Sequence, residues 1–397
     1  MGDFLQAGPV TTIHRLGELR IDDLASRLER FSRDRSLALL IPALASEMDT
    51  PALGAIFERL ASAAYLEEIV LVLGRADRDD YRRLEKLVDP LPMRTTVVWP
   101  EGPKLSRVLA SLRPGLDVGP PGKGRDVWIA LGYILYNAGA HAIALHDADI
   151  VGYTGEIPMR LLLPVADPIL NFAFCKGYYT RIADNTLQGR VTRLLVAPLV
   201  AVLREENPTD VLMLIGAMRY PLAGECAFTL DLAGRISIPR DWGMEAGILA
   251  AIAGEVEPSG ICQAGICENY DHKHQALSAG DERGGLNRMA VEVAETLLRG
   301  SAPAGGWKRD LVDRYRRKTD IFIAMYRADA LANGLNYDDE AEKMAVETFA
   351  GAVSSGLQRS EGRQDLPPLP AWRKLERSNP GIMAAIAEAV RNEGEEV

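Results

Sequence analysis

Ala142-Ile143-Ala144-Leu145-His146-Asp147-Ala148-Asp149 is a short apolar run that ends in two carboxylates one residue apart. Read as a strand, it delivers both acids to the rim of a sheet, because residues i and i+2 of a strand share a face. A pair so placed can hold a hard divalent cation. Mg²⁺ and Mn²⁺ take one or two carboxylates and fill the rest of their shell with water and substrate phosphates, so the spacing suits a metal bridging protein and diphosphate, as nucleotide-sugar transfer requires. The same Asp-x-Asp pattern also occurs as a plain turn or helix cap. Its meaning depends on the surrounding chain.

Upstream, Ser36-Leu37-Ala38-Leu39-Leu40-Ile41-Pro42-Ala43-Leu44 reads as a strand stopped by proline, apolar on both faces as a central parallel strand should be. Helical spacing over 52–64, a strand over 68–73, a helix over 79–88, a strand over 93–99 and helices over 104–112 and 125–138 lead to the strand 141–145. This alternation predicts an α/β domain with a mainly parallel sheet, in which ligands sit beyond the carboxyl ends of the strands. Pro42-Ala43-Leu44 and Asp147-Ala148-Asp149 both lie at such ends. Residues 1–35 read as a leader whose apolar positions 21, 24, 25, 28 and 31 make an amphipathic helix packed on the body or on a second subunit. Downstream, a strand over 169–174 and helices over 191–204 and 245–253 give way to helical periodicity over 286–299, 307–330 and 338–354. Pro367-Pro368-Leu369-Pro370 interrupts it before a last helix, 380–392.

The chain has 397 residues, 47% of them hydrophobic, and a formal net charge of −10. That balance allows a large core and argues against a nucleic-acid partner. No apolar run is long enough to cross a bilayer and no basic stretch precedes an apolar one at the N-terminus, so the expected address is the cytoplasm. The four cysteines, Cys175, Cys226, Cys262 and Cys267, are too few and too unevenly spaced for a disulfide framework or a zinc knuckle.

Pro121-Gly122-Lys123-Gly124-Arg125-Asp126 stands where a loop becomes a helix. Its glycines, a helix start and Lys123 suit a phosphate or nucleotide, although the spacing is not that of a Walker A loop; a solvent-exposed hinge is the alternative. Arg181, Arg190, Thr192 and Arg193 gather around Gly189 ahead of a helix, as an anion site or a solvated helix face. In Asp241-Trp242-Gly243-Met244-Glu245-Ala246-Gly247, Glu245 is either a helix-start acid or, near a metal–diphosphate centre, a group that orients sugar or acceptor hydroxyl. Asn269-Tyr270-Asp271-His272-Lys273-His274 places two of the five histidines on one face of a strand, where one can ligate metal.

Taken in order, these segments resemble the retaining GT-A glycosyltransferases that make glucosyl-3-phosphoglycerate and their mannosyl-3-phosphoglycerate relatives. The resemblance runs from Leu39 to about Arg299. It rests on Ile41-Pro42-Ala43-Leu44, Gly122-Lys123-Gly124, Asp147-Ala148-Asp149, Gly189-Arg190-Val191-Thr192 with Ala197-Pro198-Leu199, Pro221-Leu222-Ala223-Gly224-Glu225, Trp242 to Gly247, and His272 with Leu277. It implies that Pro42, Ala43 and Leu44 line a nucleotide pocket, that Lys123 reaches the nucleotide, and that Asp147, Ala148 and Asp149 face the donor. Asp149 and His272 would hold Mg²⁺ or Mn²⁺. Gly189, Arg190 and Thr192 would take 3-phosphoglycerate, while Glu245 and Asp147 would serve the reaction itself; Lys273 and His274 differ from the family's polar pair after the histidine, and His274 is expected as a further acceptor contact.

The family's Asn-Glu step after the first strand is here Ala45-Ser46-Glu47, so the acidic nucleotide contact is either shifted to Glu47 or lost. Its acidic, serine-rich turn after the second strand is replaced by Gly74-Arg75-Ala76-Asp77. The resemblance therefore implies a leader (1–35), a GT-A-like catalytic domain (36–280, with a nucleotide-sugar half to about 150 and an acceptor half beyond) and a helical C-terminal extension (281–397). The expected reaction is transfer of glucose from UDP-glucose to the 2-hydroxyl of 3-phosphoglycerate, by a homodimer. GDP-mannose as donor, free glycerate as acceptor, a metal-dependent nucleotidyltransferase and a non-catalytic sugar-nucleotide binder are the alternatives.

Overall fold

The computed structural model describes residues 6, 8–16, 19–137, 139–270, 285–300, 310–362 and 367–396. Among the described residues ten strands are formed: β1 (Thr11–Ile13), β2 (Leu37–Leu44), β3 (Glu68–Gly74), β4 (Arg94–Val98), β5 (Ala142–Leu145), β6 (Phe174–Thr180), β7 (Ile182–Ala183), β8 (Thr186–Leu187), β9 (Cys226–Thr229) and β10 (Ile261–Asn269). Eight of them make one sheet in the order β1-β10-β6-β9-β5-β2-β3-β4, and β7 and β8 pair separately. All neighbours in the large sheet run parallel except β9, which is antiparallel to both β5 and β6.

β2 and β3 are buried on both faces because helices cover the sheet on either side. Leu39, Ile41, Ile69 and Leu71 point to one layer, with α1 (Ile21–Ser32), α2 (Pro51–Leu60), α3 (Arg78–Val88) and, after β5, the helix Glu156–Ala166. Leu40, Val70 and Val72 point to the other, toward α4 (Pro103–Ser111) and α5 (Lys123–Asn137). The chain winds outward from β2 through β3 to β4, then returns to place β5 on the far side of β2. The switch in winding lies between β2 and β5, and their carboxyl ends open the crevice where ligands bind in such sheets. Pro42 is tolerated in β2 because β5 pairs only with Leu37 to Leu40, so Pro42 owes no hydrogen bond on that side.

Numbering the Glu156–Ala166 helix α6, the remaining helices are α7 (Ala197–Glu206), α8 (Asp210–Ala217), α9 (Leu230–Arg235), α10 (Met244–Ala253), α11 (Gly285–Gly300), α12 (Leu311–Ala332), α13 (Asp339–Glu361), α14 (Trp372–Ser378) and α15 (Ile382–Asn392). α1 packs on α6 through Leu24 and Leu28, so the leader helix docks on the body. The core over α5 runs on without a break into α11, α13 and α15. Trp372 shows why the proline cluster matters: it stacks on Trp128 of α5 at 4.0 Å, and a Cβ on Gly132 would stand 2.4 Å from its ring.

Two expectations need correction. The strand expected over 169–174 begins only at Phe174, because Asp167 caps the Ile169 amide at 2.8 Å and Asn171 turns the chain at φ 49°, leaving Ile169 90% exposed. The helix expected over 191–204 opens as a π turn, Val191–Val196, before α7. His272 and His274 lie outside the described residues.

Candidate active site

β5 ends at Leu145, and the chain beyond it keeps a strand-like alternation. Ala148 turns into the core beside Ile150 and Tyr153, leaving Asp147 and Asp149 half-exposed on either side. His146 fixes this turn. Its Nδ1 lies 2.9 Å from the Asp147 carbonyl and must donate to it, which leaves Nε2 to accept from the Tyr153 hydroxyl at 3.0 Å. Burial pushes the imidazole down to about 4, so it is neutral and structural.

Lys123 opens α5 and reaches the same corner. Its ammonium sits 2.6 Å from Asp147 Oδ1 and 3.0 Å from Glu245 Oε1, on the first turn of α10. Burial works against that charge, but Asp147 and Glu245 more than offset it and hold Lys123 well above the ordinary lysine range. The approach depends on close backbone contacts: a Cβ on Gly124 would fall 1.9 Å from the Pro239 carbonyl, and one on Gly122 2.8 Å from that of Arg240. The glycines around Lys123 thus seat the start of α5 against the segment leading into α10.

From the neighbouring strand, Pro42, Ala43 and Leu44 bring in Glu47, whose Oε2 accepts from the Leu44 amide at 2.8 Å. Burial, then the nearby Asp149 and Asp147, raise the Glu47 carboxyl to about 7 against the opposing Leu44 hydrogen bond. Among the described residues, no three histidine, cysteine or acidic side chains come together as a complete metal cage. The donor set still fits Mg²⁺ or Mn²⁺, which need one or two carboxylates and draw other ligands from water and phosphate. The mutual repulsion of these acids marks a corner where a cation is favoured.

Behind Asp147 lies a buried network that sequence reasoning missed. A Cβ on Gly224 would stand 2.7 Å from Asp147 Oδ2, so only glycine lets the carboxylate rest on this backbone. Lys176, buried in β6, donates to the Ala223 carbonyl, and burial lowers its pKa. Glu225 accepts from Tyr179 at 2.7 Å and from Tyr270; burial and Asp147 raise its pKa despite those two donors. A lysine inside an apolar strand and the acid closing Pro221 to Glu225 were the available signals. Neither has a helix or turn pattern that would flag it.

Tyr179 also meets Tyr220 at a tilt of 33°, with ring centres 4.9 Å apart, and Tyr220 borders Gly189. Gly189 has φ +74°, and the Tyr220 hydroxyl would lie 3.1 Å from a Cβ there. The turn it makes leads into Arg190 and the buried Thr192 and Arg193. Arg190 and Arg193 both pair with Glu342 on α13, at 2.9 and 2.7 Å, a partner that no local pattern announces. Side chains therefore connect the β5 corner to the 189–193 turn.

A doubly wound sheet with an acid pair at its switch point, one of the pair joined to Glu245 through a helix-start lysine, is the architecture of a GT-A-type glycosyltransferase. No family model matches the chain. It is 38% identical to glucosyl-3-phosphoglycerate synthase of Persephonella marina, over 99% of each chain, and 35% identical to that of Methanococcoides burtonii, over 96% of this chain and 95% of the relative. The chain belongs to the glucosyl-3-phosphoglycerate synthase family. Its fold matches the crystal structure of the Mycobacterium tuberculosis enzyme in complex with Mn²⁺, UDP-glucose and phosphoglyceric acid, with a TM-score of 0.53 and 21% identity, covering 75% of this chain and 90% of that one. The same enzyme has been solved with Mg²⁺ and UDP at a TM-score of 0.53, 22% identity and coverage of 75% and 89%.

Proposed function

We propose that the protein transfers glucose from UDP-glucose to the 2-hydroxyl of 3-phosphoglycerate, with retention at the anomeric carbon. The observation that carries this reading is the Lys123 clamp on Asp147 and Glu245 at the β2/β5 switch point, in a chain related end to end to synthases of that name. Pro42, Ala43, Leu44 and Glu47 border the nucleotide, and Lys123 binds the diphosphate side of the donor. Asp147 and Ala148 carry the turn beneath the sugar. Asp149 is the described residue to hold Mg²⁺ or Mn²⁺, with His272 as the second ligand the family resemblance implies. Bound there, the ion would stabilise charge on the leaving diphosphate.

Gly189, Arg190 and Thr192 take the acceptor's anionic group, with His274 as a further acceptor contact expected from the sequence. Glu245, held by Lys123, orients donor sugar and acceptor hydroxyl. The bond from the anomeric carbon to the diphosphate oxygen breaks as that from the acceptor oxygen forms on the same face, and the hydroxyl proton passes to the departing phosphate. In this reading residues 36–280 perform the chemistry and 281–397 brace it. The homodimer would use α12, where Ile321, Met325 and Leu331 are 55–59% exposed.

The test is product formation from UDP-glucose, GDP-mannose, GDP-glucose and ADP-glucose with 3-phosphoglycerate or glycerate, with Mg²⁺ and with chelator. Metal-dependent glucosyl transfer from UDP-glucose to 3-phosphoglycerate, giving the α-linked product by NMR, is expected. Release of pyrophosphate from a nucleoside triphosphate, or donor binding without turnover, would overturn it.

A further inference from the structure

Arg190 and Arg193 leave one turn, yet their guanidinium groups are used differently. Arg193 is 8% exposed and engaged throughout: Nε donates to the Gln188 carbonyl at 2.9 Å, Nη1 to Glu342 Oε2 at 2.7 Å, and Nη2 to the Leu187 carbonyl and Glu342 Oε1 at 3.2 Å each. Its guanidinium carbon also lies 5.1 Å from the Tyr326 ring centre. Arg190 gives its Nε to Glu342 Oε1 at 2.9 Å, and its side chain remains 37% exposed.

Glu342, 5% exposed on the first turn of α13, takes Tyr337 as a further donor at 3.4 Å. Burial opposes its charge, but Arg193 and Arg190 prevail and keep its pKa below the ordinary glutamate value. Two guanidinium groups against one carboxylate leave the turn with one positive charge in excess. A guanidinium is a planar fork. When a buried carboxylate fixes its Nε, the plane and the direction of the two terminal nitrogens are fixed with it, and a pair of parallel donors is ready for a phosphate or carboxylate.

We propose that Glu342 is a positioning residue for the acceptor: it holds Arg190 through Nε so that the terminal nitrogens meet the acceptor's anionic group. The role makes a residue of the C-terminal helices part of acceptor selection. It rests on the reading of Arg190 as the acceptor contact.

The test is steady-state kinetics of the full chain with Mg²⁺, UDP-glucose and 3-phosphoglycerate for Glu342→Gln, Glu342→Asp and Arg190→Gln. Glu342→Gln is expected to raise KM for 3-phosphoglycerate by roughly tenfold while KM for UDP-glucose stays within about twofold. It should add no further rise in an Arg190→Gln background, because both act through one contact. A Glu342 that merely supports the fold would lower kcat with the folded fraction and move neither KM. A competitor of the acceptor would lower the 3-phosphoglycerate KM on losing its charge. Either result, with Arg190→Gln still raising that KM, overturns the positioning role and leaves the acceptor reading intact. An unchanged KM in Arg190→Gln overturns the acceptor reading and this proposal together. Should Glu342→Gln fail to fold, Glu342→Asp keeps a carboxylate beside the two arginines but draws it back from the Arg190 Nε, and the same KM split decides.

Discussion

At the β5 corner Lys123 pairs with Asp147 and Glu245, with Glu47 and Asp149 close to each other beside Asp147, whereas at the 189–193 turn Arg190 and Arg193 share the single carboxylate of Glu342. The first region carries excess negative charge and the second excess positive charge. In the proposed reading a metal–diphosphate would suit the first and an anionic acceptor the second, so the two substrates would be sorted by charge before any shape is read. The regions also differ in construction. The β5 corner is assembled by strand ends and helix starts of the central sheet, while the turn depends on a helix about 150 residues further along the chain.

If the β5 corner holds the cation, its acids should matter most to turnover. Asp149→Asn is expected to reduce kcat by about three orders of magnitude, the scale of losing several kcal/mol of metal-derived charge stabilisation. Activity titrated against Mn²⁺ checks it; wild-type turnover at the same metal concentration would remove Asp149 from the metal site. Gly224→Ala should come next. Its Cβ would collide with the Asp147 carboxylate, and displacing an oriented group by about 1 Å costs on the order of 10² in rate. A melting temperature near that of the wild type, with kcat reduced, would locate the damage at Asp147 rather than in the core.

The same contrast explains what was legible in the sequence. Strand 36–44, the alternation up to β5 and the acids at its end could be read because the signals are local: apolar runs of strand length, proline and glycine stops, and i, i+2 spacing. Lys123 and Glu245 could be placed at helix starts, although their meeting across the crevice required the fold. β9 was illegible. Cys226-Ala227-Phe228-Thr229 follows a proline- and glycine-bearing stretch rather than a helical one, and nothing local shows that it forms a strand running against its neighbours. Glu342 was illegible for a different reason: in a charged helix start, Asp338-Asp339-Glu340-Ala341-Glu342, one buried acid looks like its exposed neighbours.

The turn should show smaller, substrate-selective effects. Arg190→Gln is expected to raise KM for 3-phosphoglycerate by about tenfold, the worth of one charge-assisted hydrogen bond, and to affect glycerate far less. Equal losses with both acceptors would mean that Arg190 supports the turn without touching the phosphate.

The smallest effect concerns Glu47, where the crowding of the β5 corner becomes measurable in the free protein. Its carboxyl, raised to about 7, keeps a proton in the folded chain at pH values where an unfolded glutamic acid has lost it. The stability this contributes is complete below the unfolded value of 4.5 and is lost as pH rises through about 7. Glu47→Gln stays neutral throughout and its amide oxygen can still accept from Leu44. The melting temperature of the variant relative to the wild type should therefore climb between about pH 5 and about pH 8. Saturating Mg²⁺ and UDP should flatten that climb, because positive charge at Asp149 relieves the repulsion on Glu47. Parallel curves without ligand would mean that Glu47 lies too far into solvent to feel Asp147 and Asp149, and the charge contrast between the two regions would then rest on Asp147, Asp149 and Glu245 alone.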